Sequence, residues 1–298
     1  MNFALTLTGI LALLATQGCG KNDENTDIEE AGQQLGDVMA SIDESGGSSG
    51  SLAQLEWDSR KVFARYAPGD LVDSGWLDAF LPRAYAATCY GSSTFSSCSS
   101  NAITRTFGGC TIGSATFSGT VELTWSDASV DNTCQMAASG HSVTRVPNFT
   151  VTGRRGATLS VSKTGSVGQR ITRGASAGSF TFSNDGIRRV FTGAGGATLF
   201  DYTTSTTSDI SVTGASRASR VLNGGTLRVA NNLNGVSCDL SPSSVSWTSS
   251  CNCPSSGSWS GSCSDGNSFS ISITGCGSAN LTLGEESSSV LFDRCHAI

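Results

Sequence analysis

From Thr88 onward, apolar and polar residues alternate in short runs: "ATFSGTVELTWS" (115–126), "GATLSVS" (156–162), "SDISVTG" (208–214), "GTLRVA" (225–230) and "SFSISITG" (268–275). A period of two places successive side chains on opposite faces of a strand, and clusters of Gly, Asn and Ser between the runs supply turns, so this region reads as all-β. Ahead of it the period changes. Ile28, Ala31, Leu35, Val38 and Ile42 follow helical spacing, and "TDIE" at 26–29 has the spacing of a capping box with Thr26 as N-cap. "SGGSSGS" (45–51) has linker composition, and Leu52, Leu55, Val62, Phe63 and Tyr66 give a second helical stripe that ends at Pro68-Gly69.

Four segments of the β region share arginine, a glycine-rich centre and threonine: 104–112, 144–159, 188–199 and 219–227. Each is expected to be a hairpin with a glycine turn. Their spacing is too uneven for a propeller or solenoid, so a sandwich is expected before a β-helix.

The chain begins differently. "ALTLTGILALLA" (4–15) is an apolar run of 12 residues, too short to span about 30 Å of hydrocarbon but suited to a signal peptide. It ends in "TQGCG", and Cys19 preceded by Gly18 resembles the lipobox of bacterial lipoproteins. That resemblance covers about the first 20 residues. It implies cleavage after residue 18, diacylglycerol and palmitate-type acylation on Cys19, and a lipid-anchored location in the cell envelope, with Gly20 compatible with the outer membrane. The cysteine count agrees: setting Cys19 aside leaves Cys89, Cys98, Cys110, Cys134, Cys238, Cys251, Cys253, Cys263, Cys276 and Cys295, an even set suited to disulfides outside the cytosol. Pairing is expected within the early group (89–134) and within the late group (238–295).

Charge divides the chain. Residues 20–83 carry 13 acidic and 5 basic side chains, residues 84–298 carry 11 and 13. The expected architecture is a disulfide-stapled antiparallel β-sandwich, or two small β-subdomains, behind an acidic helical stalk. The signal peptide occupies 1–18, the anchor, acidic helix and linker 19–51, and a helical segment packing near the body 52–87. The β domain follows over 88–298, with a cysteine-dense part from 238.

Chemistry is sparse. No cysteine pair has structural-zinc spacing, and only His141 and His296 add imidazoles, so neither metal nor cofactor is expected. "GASAG" around Ser176 matches a nucleophile elbow but is followed by a strand pattern, and "SVSK" (160–163) places Ser160 and Lys163 on opposite faces of a strand. Glu122, Asp127, Asp131, Asp185, Asp201, Asp209, Asp239, Asp265, Glu285, Glu286 and Asp293 are the body's carboxylates, available for paired acid/base work but placed mostly in turns.

One excess stands out: 11 basic against 3 acidic residues over 145–228, in a chain of net charge −6. Arg154, Arg155, Arg188, Arg189, Arg217 and Arg220 are the candidates for binding an anionic polymer, unless the arginines are dispersed over a sheet face or dock the acidic helix. Trp125, Trp247 and Trp259 are candidate sugar-stacking residues or core. Too few aromatics accompany the arginines for nucleic acid. The expected function is a structural or adhesin-like ligand-binding module on a membrane anchor, for an anionic or glycan ligand. The alternatives are an exported hydrolase of envelope polysaccharide and a surface-fibre subunit, the oligomeric state being open.

Overall fold

The computed structural model describes residues 24–45 and 93–297, the latter without positions 113–114, 127–133, 135, 137, 154, 177, 293–294 and 296. Cys19, Cys89, the signal peptide and the predicted helical segment 52–87 lie outside the described residues.

Strands β1 (Ser93–Phe95), β2 (Ala102–Ile112), β3 (Ala115–Trp125) and β4 (Ser142–Thr152) form an antiparallel meander. On its far edge β4 carries two neighbours: Asn148–Thr152 pair with β5 (Thr158–Lys163), and Ser142–Arg145 with β6 (Gln169–Arg173). The sheet divides there into two layers. One continues from β5 through β8 (Ile187–Thr192) and β9 (Thr198–Ser208) to β12 (Thr226–Asn231). The other runs from β6 through β7 (Ser179–Asn184) and β10 (Ile210–Thr213) to β11 (Val221–Asn223). Both rejoin on one edge of β13 (Ser237–Trp247), β12 at its start and β11 at its end. The sheet then continues as β14 (Pro254–Cys263), β15 (Ser268–Gly275), β16 (Ser278–Leu283) and β17 (Glu286–Leu291). Every pairing between these strands is antiparallel, so the sandwich is formed by one sheet that splits and fuses.

Alternation fills the interior. On β15, Phe269, Ile271 and Ile273 point inward while Ser268 and Ser272 are exposed. Leu159, Phe191 and Leu227 line one layer, and Ile171, Phe182, Ile210 and Leu222 the other, all essentially without solvent access.

Two of the four glycine-centred segments are hairpins, closed by Gly153 and Ala157 between β4 and β5 and by Gly193 and Ala197 between β8 and β9. The other two are not. Residues 104–112 lie within β2, where the register shifts between Gly108 and Cys110 and Gly109 takes φ 77°. Gly224 and Gly225, at φ 68° and 81°, join β11 to β12, which belong to different layers. The same glycine chemistry serves a bulge and a corner because both need backbone angles that side chains oppose.

The helix α1 (Glu24–Ser45) forms where the apolar spacing places it, though it begins two residues before Thr26. It is an internal element, not a stalk standing away from the body. Leu35, Val38 and Ile42 are buried, as the spacing predicts, but so are Met39, Glu30, Gln33 and Gln34. The polar side is satisfied by the body: Arg189 on β8 pairs with Asp37 and stands 3.9 Å from Glu30. Gln33 Nε2 donates to the Leu291 carbonyl at 2.7 Å, and Gln34 donates to Glu30. Glycine permits the remaining approach. A Cβ on Gly36 would lie 2.8 Å from the buried Phe292 ring, and one on Gly32 2.8 Å from Leu281 Cδ2. α1 thus packs against β9, β12, β16 and β17 within one continuous core.

Four disulfides are described, each within one of the expected groups: Cys98–Cys134, Cys238–Cys263, Cys251–Cys276 and Cys253–Cys295. Cys238 and Cys263 face each other across β13 and β14, and the other two late bridges tie the opposite end of the same strands. On the loop-closure account, each restricts the denatured chain by about 3–4 kcal/mol.

Because Arg189 is buried against carboxylates, Arg189→Met should destabilise the protein by about 3 kcal/mol in urea titrations, the cost of leaving buried charge uncompensated. Adding Asp37→Leu and Glu30→Gln should recover most of that loss. Single-site and combined variants behaving additively would show that the pair does not hold the helix.

Candidate functional site

The sequence-predicted arginine cluster does not assemble as one surface. Arg188 on β8 is half exposed but is bound by Asp201 on β9, with Nε 2.8 Å from Oδ1 and a second bond from Nη2 to Oδ2. Arg189 faces the core and α1. Arg220 is buried with its guanidinium 5.7 Å from the Trp247 ring centre. Arg155 is exposed in the β4–β5 turn, Arg217 sits in a short 3₁₀ helix (Arg217–Ser219), and Arg154 lies outside the described residues. Outside that set the pattern repeats: Arg228 on β12 forms a two-pronged pair with Asp239 on β13, at 2.8 and 2.7 Å. Much of the basic excess is therefore spent within the fold, on neighbouring carboxylates, aromatic rings and α1.

The electrostatics follow. The Arg188 guanidinium holds the Asp201 carboxyl below its ordinary value of 3.8 against the opposing effect of burial, with Asn232 Nδ2 adding a second donor at 2.8 Å. Arg228 lowers Asp239 in the same way. At Asp185 burial acts upward, but the amides of Gly168 and Val167 and the Ser166 hydroxyl outweigh it, so its pKa is lowered as it closes the β5–β6 loop.

The hydrolase motifs have structural roles. Ser176 belongs to the β6–β7 hairpin turn, where its carbonyl accepts from the Ser179 amide. Ser160 and Lys163 lie on β5, Ser160 beside Thr150 at 3.3 Å and Lys163 donating to the Ser166 carbonyl. Trp247 and Trp259 are buried in the core and Trp125 packs on its margin, which removes them as sugar-stacking surfaces.

A cavity of about 430 Å³ opens where three hairpins end together, after β12, β14 and β16. Its apolar wall is Val229, Val236, Phe269 and Leu283 with the Cys238–Cys263 bridge, and α1 contributes Ala31. Tyr202, Asn231, Asn234 and Asn267 add hydroxyl and amide groups. Asp265, Glu285 and Glu286 supply carboxylates, and none of the described lining residues is basic. Part of this polarity is already engaged. Asn231 Nδ2 donates to the Tyr202 hydroxyl at 3.1 Å, its Oδ1 accepts from the Leu233 amide, and Asn234 Oδ1 accepts from the Val236 amide. Asp265 receives both the backbone and side-chain amide of Asn267 at 3.1 Å, the tight turn that "DGN" suggests. Among the described residues no group of three or more His, Cys, Asp or Glu is arranged to hold a metal.

Asp265, Glu285 and Glu286 are visible in the sequence as isolated turn acids. Nothing there relates them to Tyr202 or Ala31, because the cavity depends on three hairpins ending at one level beneath α1. No protein-family model matches this chain, nor does any curated protein or solved structure.

The Arg188–Asp201 pair has a definite pH signature. A carboxylate whose pKa is depressed on folding stabilises the fold above its unfolded value, and loses that contribution as pH falls through the folded value. Stability from this pair should be constant above about pH 5 and decline below about pH 4. Asp201→Asn should cost about 1 kcal/mol at pH 7, since the arginine is half solvated, and should flatten the acid limb of a urea-midpoint profile.

Proposed function

We propose that this chain is a lipid-anchored binding module of a bacterial cell envelope, and that the hairpin-end cavity is its ligand site. The observation that carries the reading is the composition of that cavity, an apolar wall facing amides and carboxylates with no basic lining residue described. A neutral glycan suits it: ring hydroxyls pair with amide and carboxylate oxygens while the C–H face of the sugar lies on apolar side chains. An anionic ligand would meet Asp265, Glu285 and Glu286, and the arginines that would have welcomed it are occupied elsewhere. Sites of this type commonly sit on loops held by a rigid frame. Here the frame is β13–β16, bridged at both ends.

The envelope location is supported by four disulfides, which persist in oxidising compartments, and by Cys19 directly after a signal-like apolar run. Among the described residues no helix is long and apolar enough to cross a membrane, so anchorage in this reading rests on the acylated cysteine. The hydrolase reading is weaker because it needs two carboxylates flanking a substrate: Asp265 directs both of its oxygens to its own turn, and Glu285 and Glu286 are consecutive residues of one hairpin end, not a pair on opposite walls.

Two measurements test the proposal. Intact mass of protein extracted from membranes should show residues 1–18 removed and acyl chains added, with a further increase on reduction and alkylation that reports the bridges. Calorimetry of the full chain with a panel of neutral oligosaccharides and with heparin should give binding to a neutral sugar, weakened about tenfold by Glu285→Ala, the scale of one lost hydrogen bond to a charged group. Heparin binding without sugar binding would overturn the ligand assignment.

A further inference from the structure

The sheet has two free edges among the described strands, and they differ. β1 is three residues long, too short to template another chain. β17 is six residues long and pairs with β16 alone. The guards usually placed on such an edge are missing beyond its first residue: Ser287, Ser288, Ser289, Val290 and Leu291 include no charge, no proline and no bulge.

Hydrogen-bonding alternation fixes which groups face outward. The Phe292 amide donates to the Gly277 carbonyl, and the β16–β17 hairpin closes on Leu283 and Glu286. Even-numbered residues of β17 therefore bond to β16, and Ser287, Ser289 and Leu291 turn their N–H and C=O groups away from it. The Gln33 bond to the Leu291 carbonyl agrees with this direction. Ser287 and Ser289 are exposed and Leu291 is 66% exposed, so the edge is open to solvent apart from the Leu291 carbonyl, which Gln33 of α1 engages.

We infer that β17 is a self-association edge, and that its partner is β17 of a second copy of this chain. Antiparallel pairing about a two-fold axis at Ser289 sets Ser289 against Ser289 and Ser287 against Leu291. The three outward residues of each copy then exchange N–H···O=C bonds. The register is self-complementary because no charged side chain meets its own copy, which a lysine at 289 would do. Leu291 gains cover against the partner strand. Gln33 restrains the association, since its amide occupies the carbonyl that the partner's Ser287 N–H would use. Because both copies use the same strand about a two-fold axis, the pairing is isologous and closes at two copies instead of extending into a fibre.

The full chain should sediment as a monomer–dimer equilibrium at micromolar concentration. Ser289→Pro removes only an outward-facing N–H, which an edge strand tolerates, so its urea midpoint should match wild type while the dimer dissociation constant rises about tenfold or more. Ser289→Lys, independent of any proline effect on folding, should also yield monomer, whereas Ser289→Thr should remain dimeric. A wild-type chain that stays monomeric throughout, open-ended fibres, or a dimer unaffected by both Ser289→Pro and Ser289→Lys would overturn the inference.

Discussion

The architecture depends on a constraint borne by two strands. β4 and β13 are each longer than the strands beside one of their edges, so that edge must accept two neighbours end to end. Two strands in line cannot continue as one flat layer when each carries its own hairpins, so the sheet opens into two layers after β4 and closes at β13. The opening creates an interior needing more filling than short serine- and threonine-rich strands provide. Aromatic rings supply part of it, with guanidinium groups lying over them: Arg105 on Phe107, Arg189 on Phe200 and Arg220 on Trp247, at 4.7 to 5.8 Å. α1 supplies much of the rest, bringing the acids that Arg189 requires.

This accounts for what the amino-acid pattern revealed and what it hid. Period-two alternation marks strands such as β15 because each has one buried and one wet face, a local property. Cysteine grouping was equally legible, since the described bridges join residues only 25 to 42 positions apart in the chain. The environment of α1 was not. Docking of the arginines on the acidic helix is only one of several readings of the sequence, and the fold shows which arginine does it: Arg189, 152 residues from Asp37. The same long-range pairing hides the fate of the basic segment, whose excess over 145–228 looks like a surface for anions and is largely consumed by internal partners. Segments 104–112 and 219–227 show the limit of turn chemistry, because a glycine pair states that an unusual backbone angle is needed without stating whether the chain reverses, bulges or changes layer.

The cysteine-dense half also explains where binding surfaces can form. Strands β13 to β16 are poor in large apolar residues on their outer faces, and covalent bridges add to the burial of their inner faces, where Trp259, Phe269 and Ile271 lie, as a source of rigidity. Rigid strands keep three hairpin tips in fixed relation, so a cavity between the tips loses little freedom when a ligand enters.

The helix links these surfaces. Ala31 lines the cavity and Gln33, two residues on, caps the outward carbonyl of Leu291, while Gly32 and Gly36 hold the helix against Leu281 and Phe292 of the same sheet. Displacing α1 by even one side-chain width removes a cavity wall and releases the Leu291 carbonyl together, because both contacts rest on one close approach. Arg189 opposes such displacement from the far side. A buried ion pair is a costly way to gain stability, but breaking one leaves a charge stranded, which makes the helix position nearly all-or-none. The acids of α1 are better understood as the device that fixes the helix between two surfaces than as the solvated face of a stalk.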